Sequence, residues 1–261
     1  MLRKRQPAKR ARRRDQSSQI ATLTHDYPAG HVIRPHSHDR DQLVYAMQGV
    51  MTVVTGVGTW VVPTLRAVWI PATLSHSITM SGTVAMRTLY FRPRLAPGLP
   101  HECCVVNVPP LLRELILHAC SFGSLNRRVA RQRHLIDMIV DQLQTIPMVP
   151  LQLPHLSDPR ARRVAETLLA EPGSTRTLAQ LCKPGGASKR TVERLFRNEV
   201  GMTFGKWRQQ LRLMHAVRFL AGGASVTQAA LEAGYSTPSA FILRFRKLLG
   251  TTPAAYFRAV A

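Results

Sequence analysis

Between residues 20 and 91, short runs of apolar and β-branched residues alternate with glycine or proline. The runs read QLVYAMQG, MTVVTG, GTWVVP, RAVWIP, HSITMSG and VAMRTLYF. Valine, isoleucine, threonine and aromatic residues favour strands, and the intervening glycines and prolines favour turns. Several short strands at such close spacing predict an antiparallel sandwich or a closed barrel.

From residue 109 to residue 147, apolar positions recur every three or four residues and predict two amphipathic helices. Leu112 and Ile116 mark the apolar face of the first helix, and Ile136 and Val140 mark that of the second. These helices either close the open end of the barrel or pair with a second subunit. The segment that follows, TIPMVPLQLPHLSDP, holds four prolines. Proline breaks a helix interior, so this segment is predicted to link two domains.

The C-terminal part contains an internal repeat, in which residues 178–201 align with residues 226–250. The two copies, LAQLCKPGGASKRTVERLFRNEVG and VTQAALEAGYSTPSAFILRFRKLLG, share a glutamine in the first helix, a turn glycine, a following serine and an F-R pair. A short helix, a glycine-containing turn and a second amphipathic helix make a helix-turn-helix. Ser188 and Ser236 are the predicted N-caps of the two second helices.

Between the two copies, apolar residues recur at helical spacing from Phe204 to Val217. One helix of that length, about 25 Å at 1.5 Å per residue, holds two helix-turn-helix units a fixed distance apart. Two recognition helices separated by about one turn of B-DNA enter successive major grooves on the same side of the duplex.

The net charge of the chain indicates the kind of partner that it binds. Lysine and arginine outnumber aspartate and glutamate by 36 to 14, which gives a formal net charge of +22. Such an excess predicts a polyanionic partner, with nucleic acid first. Eight of the first 14 residues are basic, and their repulsion predicts a disordered tail. No apolar stretch approaches the roughly 20 residues that span a bilayer, so we expect a cytoplasmic protein without a membrane partner.

On the second helix of each copy, the residues outside the apolar face are short, polar or basic. Lysine and arginine bind phosphates, and arginine also forks onto guanine. These outward residues are Lys189, Arg190, Glu193, Arg194 and Arg197 in the first copy and Thr237, Ser239, Arg246 and Lys247 in the second.

The C-terminal half resembles the DNA-binding domain of the AraC/XylS family of transcription regulators. The ending AGYSTPSAFILRFRKLLGTTPAAYFR is close to the hallmark of that family, and the resemblance includes both helix-turn-helix units. It implies base contacts from Arg190, Glu193 and Arg194 in the first unit, and from Thr237, Pro238 and Ser239 in the second, with Lys247 nearer the DNA backbone.

This sequence departs from the family pattern at two places in these units. Leu243 stands where the family often has an arginine that binds a base or a phosphate. Pro184 interrupts the first helix of the first unit and should shorten its last turn. The first departure predicts that the second recognition helix contributes less specificity.

The N-terminal half carries a second resemblance. His36 and His38 lie one residue apart in a stretch predicted as strand, where side chains two apart point the same way. Residues 30–49 follow the spacing G-x5-H-x-H-x3-Q-x6-G, which resembles the first cupin motif with Gln42 in place of the usual glutamate. WIPATLSH resembles the second motif, with His76 in place. The resemblance implies that these three histidines and Gln42 converge inside the barrel.

Two ligand classes remain open for that cluster. Three neutral imidazoles suit a divalent ion such as zinc, iron, nickel or copper. The amide of Gln42 compensates less of the ion's charge than a carboxylate would, and a barrel cavity also suits a small organic effector. An alternative function, a metal-dependent cupin enzyme with an appended nucleic-acid-binding module, is disfavoured by the same glutamine.

We therefore predict an α+β protein of two domains, with a cupin-like β-barrel followed by helices and an all-α double helix-turn-helix. The predicted function is a non-enzymatic, sequence-specific transcription regulator whose barrel senses a small ligand or metal. We also expect a homodimer and association with the bacterial nucleoid. Activation is commoner than repression in the family and would involve RNA polymerase as a partner, but no residue of this sequence decides between activator and repressor. The predicted boundaries are a tail over 1–19, a barrel over 20–92, a helical, linker and candidate dimerisation region over 93–157, and a DNA-binding domain over 158–261 with helix-turn-helix units at 178–199 and 226–249.

Overall fold

The computed structural model describes residues 18–144 and 152–258. The predicted basic tail lies outside the described residues, apart from Ser18 and Gln19, and so does the middle of the predicted linker. The disorder of the tail and the domain boundaries stay predictions.

Antiparallel strands dominate the N-terminal region, with two helices near its end. Hydrogen-bonded strands follow the order β7-β5-β3-β6-β1-β8, with β2 attached to β6, β4 to β3 and β9 to β4. This path does not close on itself among the described strands, so the sheet is open where the sequence predicted a closed barrel. In chain order the elements are β1 (Ile20–Tyr27), β2 (Val32–His36), β3 (Asp41–Thr55), β4 (Gly58–Pro63), β5 (Arg66–Ile70), β6 (His76–Phe91), β7 (Cys104–Asn107), α1 (Pro110–Ser121), β8 (Ser124–Leu125), α2 (Ala130–Gln144) and β9 (Gln152–Pro154).

Strands β3 and β6 are long and pair with each other along most of their length. The sequence predicted two strands in each of these stretches, divided at Gly49 and Gly82. The structure instead has a single irregular strand in each, with register shifts between Ala46 and Val50. Both glycines have positive φ, 78° and 71°, a conformation that costs little only without a Cβ. They serve as bulges that bend a continuous strand rather than as turns that end one.

The bends divide the sheet into two parts. One part pairs the first half of β3 with β5 and with the second half of β6. The other pairs the second half of β3 with β4 and with the first half of β6, which also pairs with β2. Val44 and Ala46 belong to one apolar core, whereas Leu43 and Tyr45, which point the other way, belong to a second core against α1 and α2. Successive side chains of β3 point to opposite faces of the sheet, and both faces are therefore buried here.

The C-terminal region is helical, and its helices match the predicted repeat. Each copy contains a short helix and a longer second helix, and a long helix connects the copies. After α4, one turn of 3-10 helix at Lys183–Gly185 contains Pro184, as predicted. The elements are α3 (Pro159–Ala170), α4 (Leu178–Cys182), α5 (Lys189–Val200), α6 (Phe204–Ala221), α7 (Val226–Glu232), α8 (Pro238–Leu249) and α9 (Pro253–Arg258).

The residues shared by the two copies act mainly at helix starts. Gln180 and Gln228, the shared glutamines, each complete a capping box with Thr177 and Ser225, so each satisfies a backbone N–H that the helix leaves unpaired. The predicted N-cap Ser188 accepts a hydrogen bond from the backbone N–H of Thr191 at 3.1 Å.

The prediction that Ser236 is the N-cap of α8 is wrong. Helix α8 is capped by Thr237, whose hydroxyl oxygen accepts from the backbone N–H of Ala240 at 3.2 Å. Proline is favoured at the first helical position because its missing N–H has no partner there. Pro238 occupies that position, so the cap falls on the residue directly before it.

Helix α6 packs against both regions of the chain. Its Trp207 indole N–H donates to the carbonyl of Pro154 in β9 at 3.1 Å, and its end contacts the bend of β6. A Cβ added to Gly82 would lie 2.3 Å from the carbonyl oxygen of Ala221. From α9, the Tyr256 hydroxyl donates to the carbonyl of Thr64. One continuous apolar core joins the inner side of the sheet to the helices.

The turn of the second helix-turn-helix unit touches the loop that leads into the first unit. Gly234, in the turn of the second unit, lies so close to Gly173, which precedes the first, that an added Cβ would be 2.6 Å from the Gly173 carbonyl oxygen. Arg212 of α6 donates to the carbonyl of Ser174 at 2.8 Å in the same loop. This contact and α6 together hold the second unit against the loop that leads into the first.

The predicted fold class is confirmed: a strand-rich N-terminal domain with helices precedes an all-α domain with two helix-turn-helix units. No helix among the described residues has the length and apolar character needed to cross a bilayer.

Candidate functional site

Three histidines converge where the two parts of the sheet face each other. His36, at the end of β2, pairs directly across from His76, at the start of β6. His38 follows in the loop to β3, and one ring nitrogen from each of the three lies within 4.8 Å of the others. Strand β2 ends at His36. The prediction that His36 and His38 point the same way because they lie two residues apart in one strand is therefore wrong. The loop, not the strand, turns His38 towards the cluster.

Backbone carbonyls fix the orientation of all three rings. Nδ1 of His36 hydrogen-bonds the carbonyl of Arg34 at 2.9 Å, Nδ1 of His38 that of Arg40 at 2.6 Å, and Nδ1 of His76 that of Leu74 at 2.9 Å. A carbonyl only accepts, so each Nδ1 carries a proton, and Nε2 is the nitrogen of each ring that can offer a lone pair. Metal-binding histidines are commonly oriented in this way by their second nitrogen.

Gln42 reaches the cluster from β3, as the cupin resemblance implied. Its Oε1 lies 2.8 Å from Nε2 of His38, and its Nε2 donates to the Tyr90 hydroxyl at 3.2 Å. With Nδ1 of His38 protonated, Nε2 and Oε1 are both acceptors. Such a pair requires a second proton on His38, a rotated amide, or a cation that both atoms bind.

His76 is the deepest member of the cluster. It is 1% exposed, and its Nε2 has no hydrogen-bond partner among the described residues. Burial, opposed by the bond to Leu74 and assisted by the other two histidines, lowers the pKa of His76 to about 4. The ring is therefore neutral near pH 7, which is the form that binds metal. The buried, unpaired Nε2 and the three oriented lone pairs fit a divalent cation with His36, His38 and His76 as ligands.

Sequence reasoning missed Tyr90, which contacts two members of the cluster. Its ring lies 5.2 Å from that of His38, edge to face, and it is the cross-strand partner of Gln42. The stretch LYF looks like ordinary strand core, and only the register between β3 and β6 identifies Tyr90. Aligning the sequences of β3 and β6 as antiparallel partners would have placed Tyr90 opposite Gln42 and identified it.

The predicted DNA-binding residues fall on two helices. Arg190, Arg194 and Arg197 are exposed on one side of α5, and Val192 and Phe196 are buried on the other. Lys189 is exposed and Glu193 half-buried on the same helix. At α8, Thr237, Ser239, Arg246 and Lys247 are exposed and Pro238 is half-buried.

The exposed cations on α5 and α8 are available to a partner. No ion pair within the described ranges engages Lys189, Arg190, Arg194, Arg197, Arg246 or Lys247. Two clusters of unpaired cations on helices that α6 holds apart suit a duplex, whose phosphates repeat along its length.

The fold and the two sites define a class: one-component regulators that couple a ligand-binding domain to a double helix-turn-helix. Sequence comparison gives that class a family. The family pattern for an AraC-like ligand binding domain matches residues 21–171, and that for a helix-turn-helix domain matches residues 181–259. The chain belongs to the AraC family of transcription regulators, and it carries a ligand-binding domain and a DNA-binding domain.

Two relatives by sequence agree with this assignment, and a solved structure is also similar to this chain. The HTH-type transcriptional regulator NimR of Escherichia coli K12 is 35% identical over 221 residues, which cover 85% of this chain and 81% of NimR. RipA of Corynebacterium glutamicum is 31% identical over 111 residues, or 42% of this chain and 32% of RipA. A crystal structure of ToxT from Vibrio cholerae with bound unsaturated fatty acid covers 94% of this chain and 96% of ToxT, at a TM-score of 0.40 and 11% identity.

Proposed function

We propose that α5 and α8 read an operator in successive major grooves, with α5 supplying the main base contacts. The single observation that carries this proposal is the pair of exposed, unpaired cationic faces on two helices fixed by α6. Arg190 and Arg194 lie in the N-terminal half of α5, the part of a recognition helix that contacts base edges. Arg246 and Lys247 lie in the last turn of α8, where they suit phosphates.

The test is operator binding by single variants of α5. The full-length protein selects duplexes from a random library, and the enriched sequence is used in binding titrations. Replacing Arg190 or Arg194 with alanine should lower affinity for that sequence at least about fivefold, because a bidentate arginine contact contributes about 1–3 kcal/mol of discrimination.

Arg128→Ala is the matched control. Arg128 is exposed in the loop before α2, and its loss removes the same charge without touching α5. Equal binding by Arg190→Ala, Arg194→Ala and the control, with unchanged circular dichroism, would refute the assignment of α5.

For the effector, we propose a divalent cation at the three histidines. Nε2 of His36, His38 and His76 would hold it, with Oε1 of Gln42 as a neutral fourth ligand. A bound cation would supply positive charge at the junction of the two sheet parts and would tie β2 to β6. The buried Nε2 of His76, which has no hydrogen-bond partner among the described residues, supports the cation.

Elemental analysis of the purified, untagged protein tests the effector. We expect close to one zinc, iron, nickel or copper ion per chain after incubation with the metals, and loss of that ion in the double variant His36→Ala/His76→Ala. His134→Ala/His155→Ala, which removes two histidines outside the cluster, should keep the ion. Absence of stoichiometric metal in the wild type would leave the histidines as the lining of an organic-ligand pocket.

Strand β6 supports a route from the effector to DNA. It begins at His76 and bends at Gly82, where it meets the end of α6. A cation that pulls β2 and β6 together would change this contact, and α6 carries both reading helices. The proposed mechanism is a shift in population between two domain arrangements that differ in affinity for the operator.

The remaining parts of the proposal concern assembly and cellular role. Leu111 on α1 and Met138 on α2 are exposed large apolar residues, which supports a homodimer formed through residues 93–157. Activation through RNA polymerase is supported by relatives named as activators, such as VirF of Yersinia enterocolitica. We propose a cytoplasmic, nucleoid-associated regulator without catalysis. Gln42 disfavours a catalytic metal at the cluster, because its neutral amide compensates less of an ion's charge than the usual glutamate would.

A further inference from the structure

Helix α8 has a large apolar side chain in the middle of its solvent-facing side. Leu243 is 72% exposed, more than any other large apolar residue in the described ranges. The opposite side of the helix buries Phe241, Phe245 and Leu249. Leu243 therefore contributes little to the core, and its role lies outside the fold.

The neighbours of Leu243 are polar or cationic. Ser239 lies four residues before it, and Arg246 and Lys247 lie three and four residues after it. Residues at these spacings share one face of a helix, and all three neighbours are exposed. A face with two cations attracts phosphates, which favours DNA over an apolar protein partner as its occupant.

The chemistry of the major groove limits what a leucine can read. Base edges present hydrogen-bond donors and acceptors, to which leucine offers nothing, and one apolar group, the C5-methyl of thymine. The arginine that the family often has here would bind guanine or phosphate instead. We propose that Leu243 is a specificity-determining residue that contacts a thymine methyl group in the half-site bound by α8. This inference rests on the proposed function, in which α8 reads DNA.

The proposal reverses the expectation from sequence. Loss of the family's arginine predicted a recognition helix with less specificity. An apolar contact instead changes the base that is read, from guanine to thymine, and it makes recognition at that position independent of salt, since no charge takes part.

The experiment removes the methyl group from DNA and the side chain from the protein, separately and together. Full-length protein selects duplexes from a random library, and each thymine of the enriched sequence is replaced in turn by deoxyuridine. One replacement should weaken wild-type binding about fourfold, the value expected for one buried methyl group. In Leu243→Ala, the same replacement should change affinity less than twofold.

Leu169→Ala is the matched control, because Leu169 is another exposed leucine, on α3. It should keep the fourfold dependence on the thymine methyl. Thermal unfolding of both variants should equal that of the wild type, since neither side chain is buried.

The outcomes separate the inference from the function on which it rests. Selective binding by the wild type without dependence on any thymine methyl, or dependence that persists in Leu243→Ala, would overturn the inference and leave the proposed function standing. Lower transcription with unchanged DNA binding in Leu243→Ala would indicate a protein partner and would also overturn it. Failure of the wild type to enrich any sequence would overturn the proposed function and this inference together.

Discussion

At the residue scale, the start of α8 gives a direct test of the capping geometry. Thr237 caps the helix and Ser236 does not, although the repeat pairs Ser236 with Ser188. Thr237→Ala should lower the free energy of unfolding by about 1 kcal/mol, because the backbone N–H of Ala240 loses its acceptor. Ser236→Ala should leave it unchanged. Chemical denaturation of both variants makes the comparison, and a larger loss in Ser236→Ala would contradict the observed cap.

The same residue shows what the repeat could and could not predict. Repetition located both recognition helices and their buried aromatic residues, such as Phe196 and Phe241, because a helix face needs apolar residues at fixed spacing. It could not place the second cap, since Pro238 has no counterpart in the first copy and sets the helix start one residue later.

At the element scale, the bend of β6 joins the two domains. Gly82→Ala would combine the strain of positive φ with a clash against the Ala221 carbonyl. Gly30 has φ of 76° and no atom within 4 Å of an added Cβ, so Gly30→Ala is the matched control for the strain alone, about 1–2 kcal/mol. We expect Gly82→Ala to lower the free energy of unfolding further, by at least about 1 kcal/mol. Equal losses in a urea titration would mean that the α6 contact does not contribute.

The bends also explain the limit of prediction for the sheet. Every segment predicted as strand near Gly49 and Gly82 is strand in the structure. Local sequence is enough for this, because β-branched residues and alternating apolar and polar positions favour the extended conformation. Whether a glycine ends a strand or bends it depends on the pairing partner, here β3 against β6, and that partner lies far away in sequence. Tyr90 was missed for the same reason.

At the scale of the whole molecule, the buried His76 and the half-buried His215 make stability depend on pH. Burial lowers the pKa of His76 in the sheet and of His215 in α6 to about 4, from 6.5, with a further lowering from Arg218 at His215. Between pH 6.5 and 4 the unfolded chain binds protons that the folded chain does not. The stabilisation from the two neutral histidines is therefore complete above pH 6.5, and the free energy of unfolding falls as the solution is acidified below that value. Each group contributes a slope of at most about 1.4 kcal/mol per pH unit.

His215→Gln isolates one of these contributions. Glutamine does not titrate and can accept the hydrogen bond that Arg218 donates to Nδ1 of His215 at 3.3 Å. Urea midpoints at pH 7 and pH 5 should differ less in this variant than in the wild type. His134→Gln, at an exposed position on α2, should keep the wild-type difference, and an unchanged difference in His215→Gln would contradict the role of burial.

The contact between Gly173 and Gly234 has a consequence for the genes under control. This contact leaves the second unit no room to move towards the loop before the first unit, and α6 joins the two units. Under the proposed function, α5 and α8 therefore bind half-sites at one preferred separation. One extra base pair between half-sites rotates the second by about 34° and displaces it by about 3.4 Å, which moves its bases away from α8. A base substitution in a promoter therefore weakens binding of the regulator and preserves part of its control. A single insertion or deletion between the half-sites abolishes binding to both of them, and the gene loses this regulation in one step.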